Sequence, residues 1–135
     1  MSFQQQVFIN LAVKNLSRAQ DFFAALGFTF NAQFTNEKAA CMVVSDTIFV
    51  MLLTEEKFKP FIPNPIADAH QVTEVLVCLN CESRDAVDEM VRKALSAGGK
   101  TYNDPQDHGF MYGHGFQDLD GHIWELVYMA PDKAH

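Results

Sequence analysis

Apolar and polar residues alternate at period two from Val7 to Val13. Val7, Ile9, Leu11 and Val13 fall on one face and Phe8, Asn10 and Ala12 on the other, which predicts a half-buried strand. The period then lengthens: Leu16, Ala19, Phe22, Phe23 and Leu26 recur at helical spacing. Ser17 is the expected N-cap, with Gln20 completing a capping box, and Gly27 is the left-handed stop. Three strand-like runs follow, Phe28 to Phe34, Ala39 to Ser45 and Ile48 to Thr54, the last reached through a turn at Ser45-Asp46.

From Glu55 to Val72 the pattern breaks around Pro60, Pro63 and Pro65, whose missing N–H suits neither a central strand nor a helix interior. This segment reads as a linker, with Phe58, Phe61 and Ile66 able to pack. Alternation resumes at Thr73, with Val75, Val77 and Leu79 opposite Glu74, Leu76 and Cys78. Ser83-Arg84 opens a second helix whose buried stripe is Ala86, Val87, Met90, Val91, Ala94 and Leu95, ended by Gly98-Gly99. A short strand at Lys100 to Tyr102 is followed by a loop of Gly, His, Asp and Pro. The strands Tyr112 to Gln117 and His122 to Tyr128 flank the turn Asp118-Leu119-Asp120-Gly121.

The order βαβββ therefore occurs twice. Ser17 and Ser83 lie 66 residues apart, and at that offset Ile9 matches Val75, Leu11 matches Val77 and Val13 matches Leu79. The expected fold is α+β, a single domain over residues 1–135 made of module one (1–54), the linker (55–72) and module two (73–135). Each module buries one sheet face under its helix. Side by side, the two give a curved, cup-shaped mixed sheet with the helices outside. Phe8, Asn10 and Ala12, and on the matching strand Glu74, Leu76 and Cys78, then point into the hollow.

Charge and composition narrow the function. Ten Lys and Arg against seventeen Asp and Glu give a net −7, a poor match for nucleic acid or an anionic lipid surface. No apolar run is long enough to span a bilayer, and the first six residues carry neither the basic head nor the apolar core of a secretion signal. Three cysteines cannot complete an intrachain disulfide framework. The expectation is a soluble, reduced, cytoplasmic protein.

Two segments carry a family resemblance. The first is Phe8-Ile9-Asn10-Leu11-Ala12-Val13-Lys14-Asn15-Leu16-Ser17-Arg18 with Phe22-Phe23 and Leu26-Gly27-Phe28. The second, more specific, is Phe116-Gln117-Asp118-Leu119-Asp120-Gly121-His122-Ile123-Trp124-Glu125-Leu126. Together they resemble the vicinal oxygen chelate superfamily, also called the glyoxalase/bleomycin-resistance/dioxygenase superfamily, although Leu119 replaces the usual Pro of its Asp-Pro-Asp-Gly turn. The stretch Pro105 to Gly113 resembles a bacterial subgroup labelled predicted lactoylglutathione lyases.

The resemblance implies four metal-ligand positions, typically two His and two Glu. Carried over residue by residue, they fall on Phe8, Glu74, Met51 and Glu125. Two are apolar and neither of the others is His, so no metal ligand is assigned. A divalent metal held by the two carboxylates, with water and substrate completing the shell, is the less favoured arrangement. Glu125 and Glu74 are the candidate catalytic residues, since two carboxylates in one dry hollow push their proton affinities apart and supply an acid and a base. Phe8, Met51, His108, Tyr112 and His114 are the candidate substrate-binding residues.

The remaining motifs add little. Cys78-Leu79-Asn80-Cys81 is a lone CxxC, and Cys41 reads as a small core residue. The glycines near His108 do not form a phosphate loop, and no serine sits in a nucleophile elbow. Three readings stay open. The favoured one is a small-molecule-binding protein of the bleomycin-resistance kind, without a complete four-ligand metal site. The alternative is a glyoxalase-like lyase or isomerase using Glu-mediated proton transfer on an α-oxygenated carbonyl or thiol adduct. The third is a structural or regulatory dimer. The resemblance also implies a homodimer.

Overall fold

The first strand, β1 (Val7–Val13), has the burial its pattern predicts: Leu11 and Val13 are buried while Phe8 and Asn10 are exposed. In this computed structural model, which describes residues 3–131, the chain divides between Ile66 and Ala67 into two compact units. Unit 1 continues with α1 (Leu16–Ala25), β2 (Thr29–Phe30), β3 (Ala39–Val43), β4 (Ile48–Thr54) and α2 (Glu55–Phe58). Unit 2 holds β5 (Leu76–Asn80), α3 (Arg84–Ser96), β6 (Gln106–Asp107), β7 (Met111–Gln117) and β8 (Ile123–Met129). Each unit contains one four-stranded mixed sheet, ordered β1-β4-β3-β2 in the first and β5-β8-β7-β6 in the second. The architecture is α+β with the βαβββ order repeated. Among the described residues, no helix is long and apolar enough to cross a membrane.

Several boundaries shift for local reasons. Helix α1 is capped by Asn15, whose Oδ1 accepts from the Arg18 N–H at 3.1 Å, and not by Ser17. Starting the helix at Leu16 puts that buried side chain on the stripe of Ala19, Phe22 and Phe23. Ser83 caps α3 as expected, accepting from the Ala86 N–H at 3.0 Å. The caps at 15 and 83 thus lie 68 residues apart, not 66. Strand register agrees: Asn10 pairs with Met51 and Cys78 pairs with Glu125, again 68 apart in the first strand. At this offset Phe8 matches Leu76, and Glu74 lies two residues ahead of β5.

The run Phe28 to Phe34 is a two-residue strand followed by a 3₁₀ turn at Ala32–Phe34, where the Asn31 side chain accepts from the Gln33 N–H. The proline-containing linker opens with helical turns, α2 and a 3₁₀ turn at Lys59–Phe61, because Thr54 supplies a cap and Pro60 falls where no N–H is required. Lys100 forms only an isolated bridge to Gln117, and the edge strand comes later, at β6.

In unit 2, α3 lays Val87, Val91 and Ala94 over one face of β7 and β8, where Phe116, Trp124 and Leu126 are buried. The Phe116 and Trp124 rings stack with centroids 6.3 Å apart. Burial of a side chain such as Phe116 contributes about 1.5–3 kcal/mol. The opposite face of this sheet carries Glu125.

Candidate functional site

Alternation along β8 puts Trp124 and Leu126 under α3 and Glu125 and Val127 on the other face. Antiparallel pairing sets Gly115 opposite Glu125 and Gly113 opposite Val127, so β7 has no side chain beside either. Parallel pairing places Cys78 next to Glu125 on its other side. The row across the sheet is Cys78, Glu125, Gly115. Tyr102, from the segment after α3, packs its hydroxyl over Gly115 in the space a side chain would occupy.

This face lines a cavity of about 330 Å³ within unit 2. Its floor is Gly113, Gly115, Glu125 and Val127, and Tyr102 and Met111 contribute to its walls. Asn103, Gln106, His108 and His114 add polar groups. The volume falls in the range of small-ligand sites. Burial, and then the Glu125 carboxylate and the Cys78 thiol, push the Tyr102 phenol up. Burial and Glu125 likewise raise the Cys78 thiol, so both groups are held in their protonated, hydrogen-bond-donating forms.

The segment bearing His108 is tied to α3. Arg84 donates to Asp107 Oδ2 at 2.7 Å and to the Gly109 carbonyl at 3.0 Å, and the Gly109 N–H donates to Asp107 Oδ1 at 2.9 Å. Gly109 takes φ +82°, a left-handed value that lets the loop reverse without strain. The Arg84 guanidinium holds the Asp107 carboxyl below the usual range. His114 Nε2 donates to the Asn103 carbonyl at 3.1 Å.

Of the residues the sequence singled out, Glu125, His108 and His114 contribute to the cavity wall. Glu74 does not. It precedes β5, and its Oε2 lies 3.1 Å from Nδ1 of the buried His122. Tyr112 is also absent from the wall: on β7 it lies on the same face as His114 and Phe116, and its side chain reaches α3. Its hydroxyl donates to Asp88 Oδ1 at 2.6 Å and its ring lies under Arg84. Phe8 and Met51 belong to unit 1. Phe8 stacks on Phe49 with centroids 4.8 Å apart, and Met51 sits in register between Asn10 and Cys41. Sequence reasoning missed Tyr102, Gly113 and Gly115. The signal available was a Gly-x-Gly alternation in a strand, which marks close approach by another group.

The bond to Asp88 pushes the Tyr112 phenol from 10.0 up to about 12. Since the folded value is the higher one, the bond's contribution to stability is complete below about pH 10 and is lost as pH rises through about 12. Asp88→Asn is expected to bring one late-ionising tyrosine back toward its ordinary value. Phenolate absorbance against pH measures this, and an unchanged late titration would assign the shift to another contact.

The four positions that the family resemblance marks as metal ligands have unequal donor chemistry. Phe8 has no donor atom, and the Met51 thioether is a poor partner for a hard divalent ion. The Glu74 carboxylate lies against His122 and outside the cavity wall, whereas Glu125 faces the cavity. Among the described residues, no three His, Cys, Asp or Glu side chains gather as a metal-holding group.

Comparison with known proteins gives a consistent family. A hypothetical protein from S. aureus is similar at 26% identity with a TM-score of 0.78, covering 94% of this chain and 95% of that one. A glyoxalase/bleomycin resistance protein/dioxygenase family enzyme from Burkholderia phytofirmans shares the fold at 13% identity and a TM-score of 0.76, covering 93% and 99%. The genomically encoded fosfomycin resistance protein FosX from Listeria monocytogenes shares it at 16% identity and a TM-score of 0.67, covering 98% and 96%. A comparison with curated proteins found no match. The family model for the glyoxalase/bleomycin resistance protein/dioxygenase superfamily matches residues 5–126, and the chain belongs to that superfamily.

Proposed function

We propose that this chain is a small-molecule-binding protein whose ligand seats in the unit 2 cavity over Glu125, without a complete four-ligand metal site. The observation that carries this reading is the glycine floor. Gly113 leaves the sheet face beside Val127 without a side chain, and Gly115 lets the Tyr102 hydroxyl close in beside Glu125 as the wall. A pocket with one carboxylate, a phenol and apolar Met111 and Val127 matches the usual make-up of a ligand site, an apolar lining with a few placed polar groups. The donor chemistry at Phe8 and Met51 speaks against a four-ligand ion. The free thiols Cys41, Cys78 and Cys81 suit a reducing cytoplasm. Exposed Phe8 and Leu76 on the edge strands β1 and β5 suit coverage in a homodimer.

The test is a small-molecule screen by thermal shift, followed by backbone chemical-shift mapping, on protein of measured metal content. A ligand that binds only the folded state raises its stability. Hits should perturb Tyr102, Gly113, Gly115 and Glu125. Perturbations confined to other residues would sink the reading. So would near-stoichiometric bound metal, with stabilisation by Ni²⁺, Zn²⁺, Mn²⁺ or Mg²⁺.

A second reading, a glyoxalase-like isomerase, is favoured by the proximity of Glu125 to the protonated Tyr102. The Glu125 carboxylate would take the proton from carbon beside a carbonyl. Tyr102 would donate to the oxygen of the resulting enediolate, and the proton would return to the neighbouring carbon. Glu125→Gln is expected to cut turnover of a hemithioacetal by at least about a hundredfold. An unchanged rate would remove Glu125 from the reaction.

A further inference from the structure

The charges around the cavity are one-sided. Among the described residues, its wall includes the Glu125 carboxylate and no Lys or Arg. Arg84, the cation that reaches the neighbouring loop, is already held by Asp107 and the Gly109 carbonyl. His114 Nε2 is committed to the Asn103 carbonyl. The Tyr102 phenol and the Cys78 thiol beside Glu125 are both raised, so neither shares the negative charge nor neutralises it. The chain as a whole carries −7.

Resting on the binding role proposed above, we infer that the ligand is a small organic cation, an aromatic or alkyl amine whose ammonium group pairs with Glu125 and whose apolar body lies against Tyr102, Met111 and Val127. An ammonium group satisfies a partly buried carboxylate with a charge-assisted hydrogen bond. The Tyr102 phenol oxygen, seated over Gly115 beside Glu125, can accept from the same ammonium group. Among the described residues, an anionic ligand would meet Glu125 with no Lys or Arg in the wall to offset it. The negative field of the chain also raises the local concentration of cations and lowers that of anions.

The experiment compares three molecules with one ring system and different head groups: tryptamine, tryptophol and indoleacetate. Binding to the full-length protein is followed by calorimetry and chemical-shift mapping at neutral pH. Tryptamine is expected to bind about tenfold or more tightly than tryptophol, and indoleacetate more weakly than either. The tryptamine preference should shrink as salt rises. Glu125→Gln, checked for native dichroism and melting, should bring the tryptamine-to-tryptophol ratio toward one. The salt series on unaltered protein carries the test if that variant does not fold. If tryptophol or indoleacetate binds in the cavity as well as tryptamine does, the cation inference fails while cavity binding stands. If none of the three binds, or if tryptamine binds elsewhere, both fail.

Discussion

The Asp118→Ala variant is expected to lose about 3 kcal/mol or more of unfolding free energy, the largest effect of any single substitution considered. Asp118 is buried at the start of the β7–β8 turn. Its Oδ1 accepts from the backbone N–H groups of Asp120 at 2.9 Å and His122 at 3.0 Å, and its Oδ2 accepts from the Trp124 indole N–H at 3.0 Å. Burial pushes this carboxyl up, while His122, the indole N–H and the Asp120 N–H pull the other way. Removing the side chain strands donors in a buried setting, and each unsatisfied donor costs about 1–3 kcal/mol. The turn also depends on Gly121, whose φ of +90° and backbone contacts with Ala69 and His70 leave no room for a side chain. Asp118→Asn should be intermediate, because its amide oxygen still serves the two backbone groups but its NH₂ faces the indole N–H. Urea denaturation measures all three proteins. An Ala variant within about 1 kcal/mol of the parent would mean that water replaces the carboxylate.

The second large effect is expected at Gly115. A Cβ built there would lie 2.5 Å from the Trp124 carbonyl oxygen and against the Tyr102 hydroxyl. The carbonyl cannot retreat, since Trp124 is fixed by strand pairing and by Asp118. Tyr102 must therefore leave the wall. Gly115→Ala should cost about 1–3 kcal/mol by overpacking and should abolish cavity binding at the same time. Denaturant titration and the Tyr102 ring signals report the two effects separately. Parent-like stability with Tyr102 undisturbed would show that the sheet opens to accept the methyl group, and would remove the glycine floor from the account of the site.

The two effects differ in how readable they were. The turn at Asp118-Leu119-Asp120-Gly121 is a local pattern; period-two alternation places β1, and a strand-like run after the Ser45-Asp46 turn places β4, at their observed limits. Glu125 could be assigned to the face opposite Trp124 and Leu126 for the same reason. Cap choice was less legible: Asn15 and Ser17 are both good caps, and the decision fell to Asn15 because Leu16 is buried in the first helical turn. That two-residue shift moved the repeat from 66 to 68 and separated Glu74 from the Phe8-equivalent position. Tyr112 and His114 lie two residues apart on the same face of β7, so alternation does not separate them. Their partners, distant in the chain, separate them: Tyr112 meets Asp88 and Arg84 of α3, and His114 meets the Asn103 carbonyl.

The sequence by itself determined the βαβββ repeat and the faces of its strands, because these follow from short-range periodicity and from turn chemistry within a few residues, and its motifs carry the resemblance to the family. Only the tertiary structure decided what stands beside Glu125. Strand register brings Cys78 and Gly115 to that carboxylate, and tertiary contacts set Tyr102 over Gly115, bring Glu74 to His122 and, among the described residues, leave no Lys or Arg in the cavity wall. Register and side-chain partnership are set by contacts between residues far apart in the chain, which no local pattern encodes.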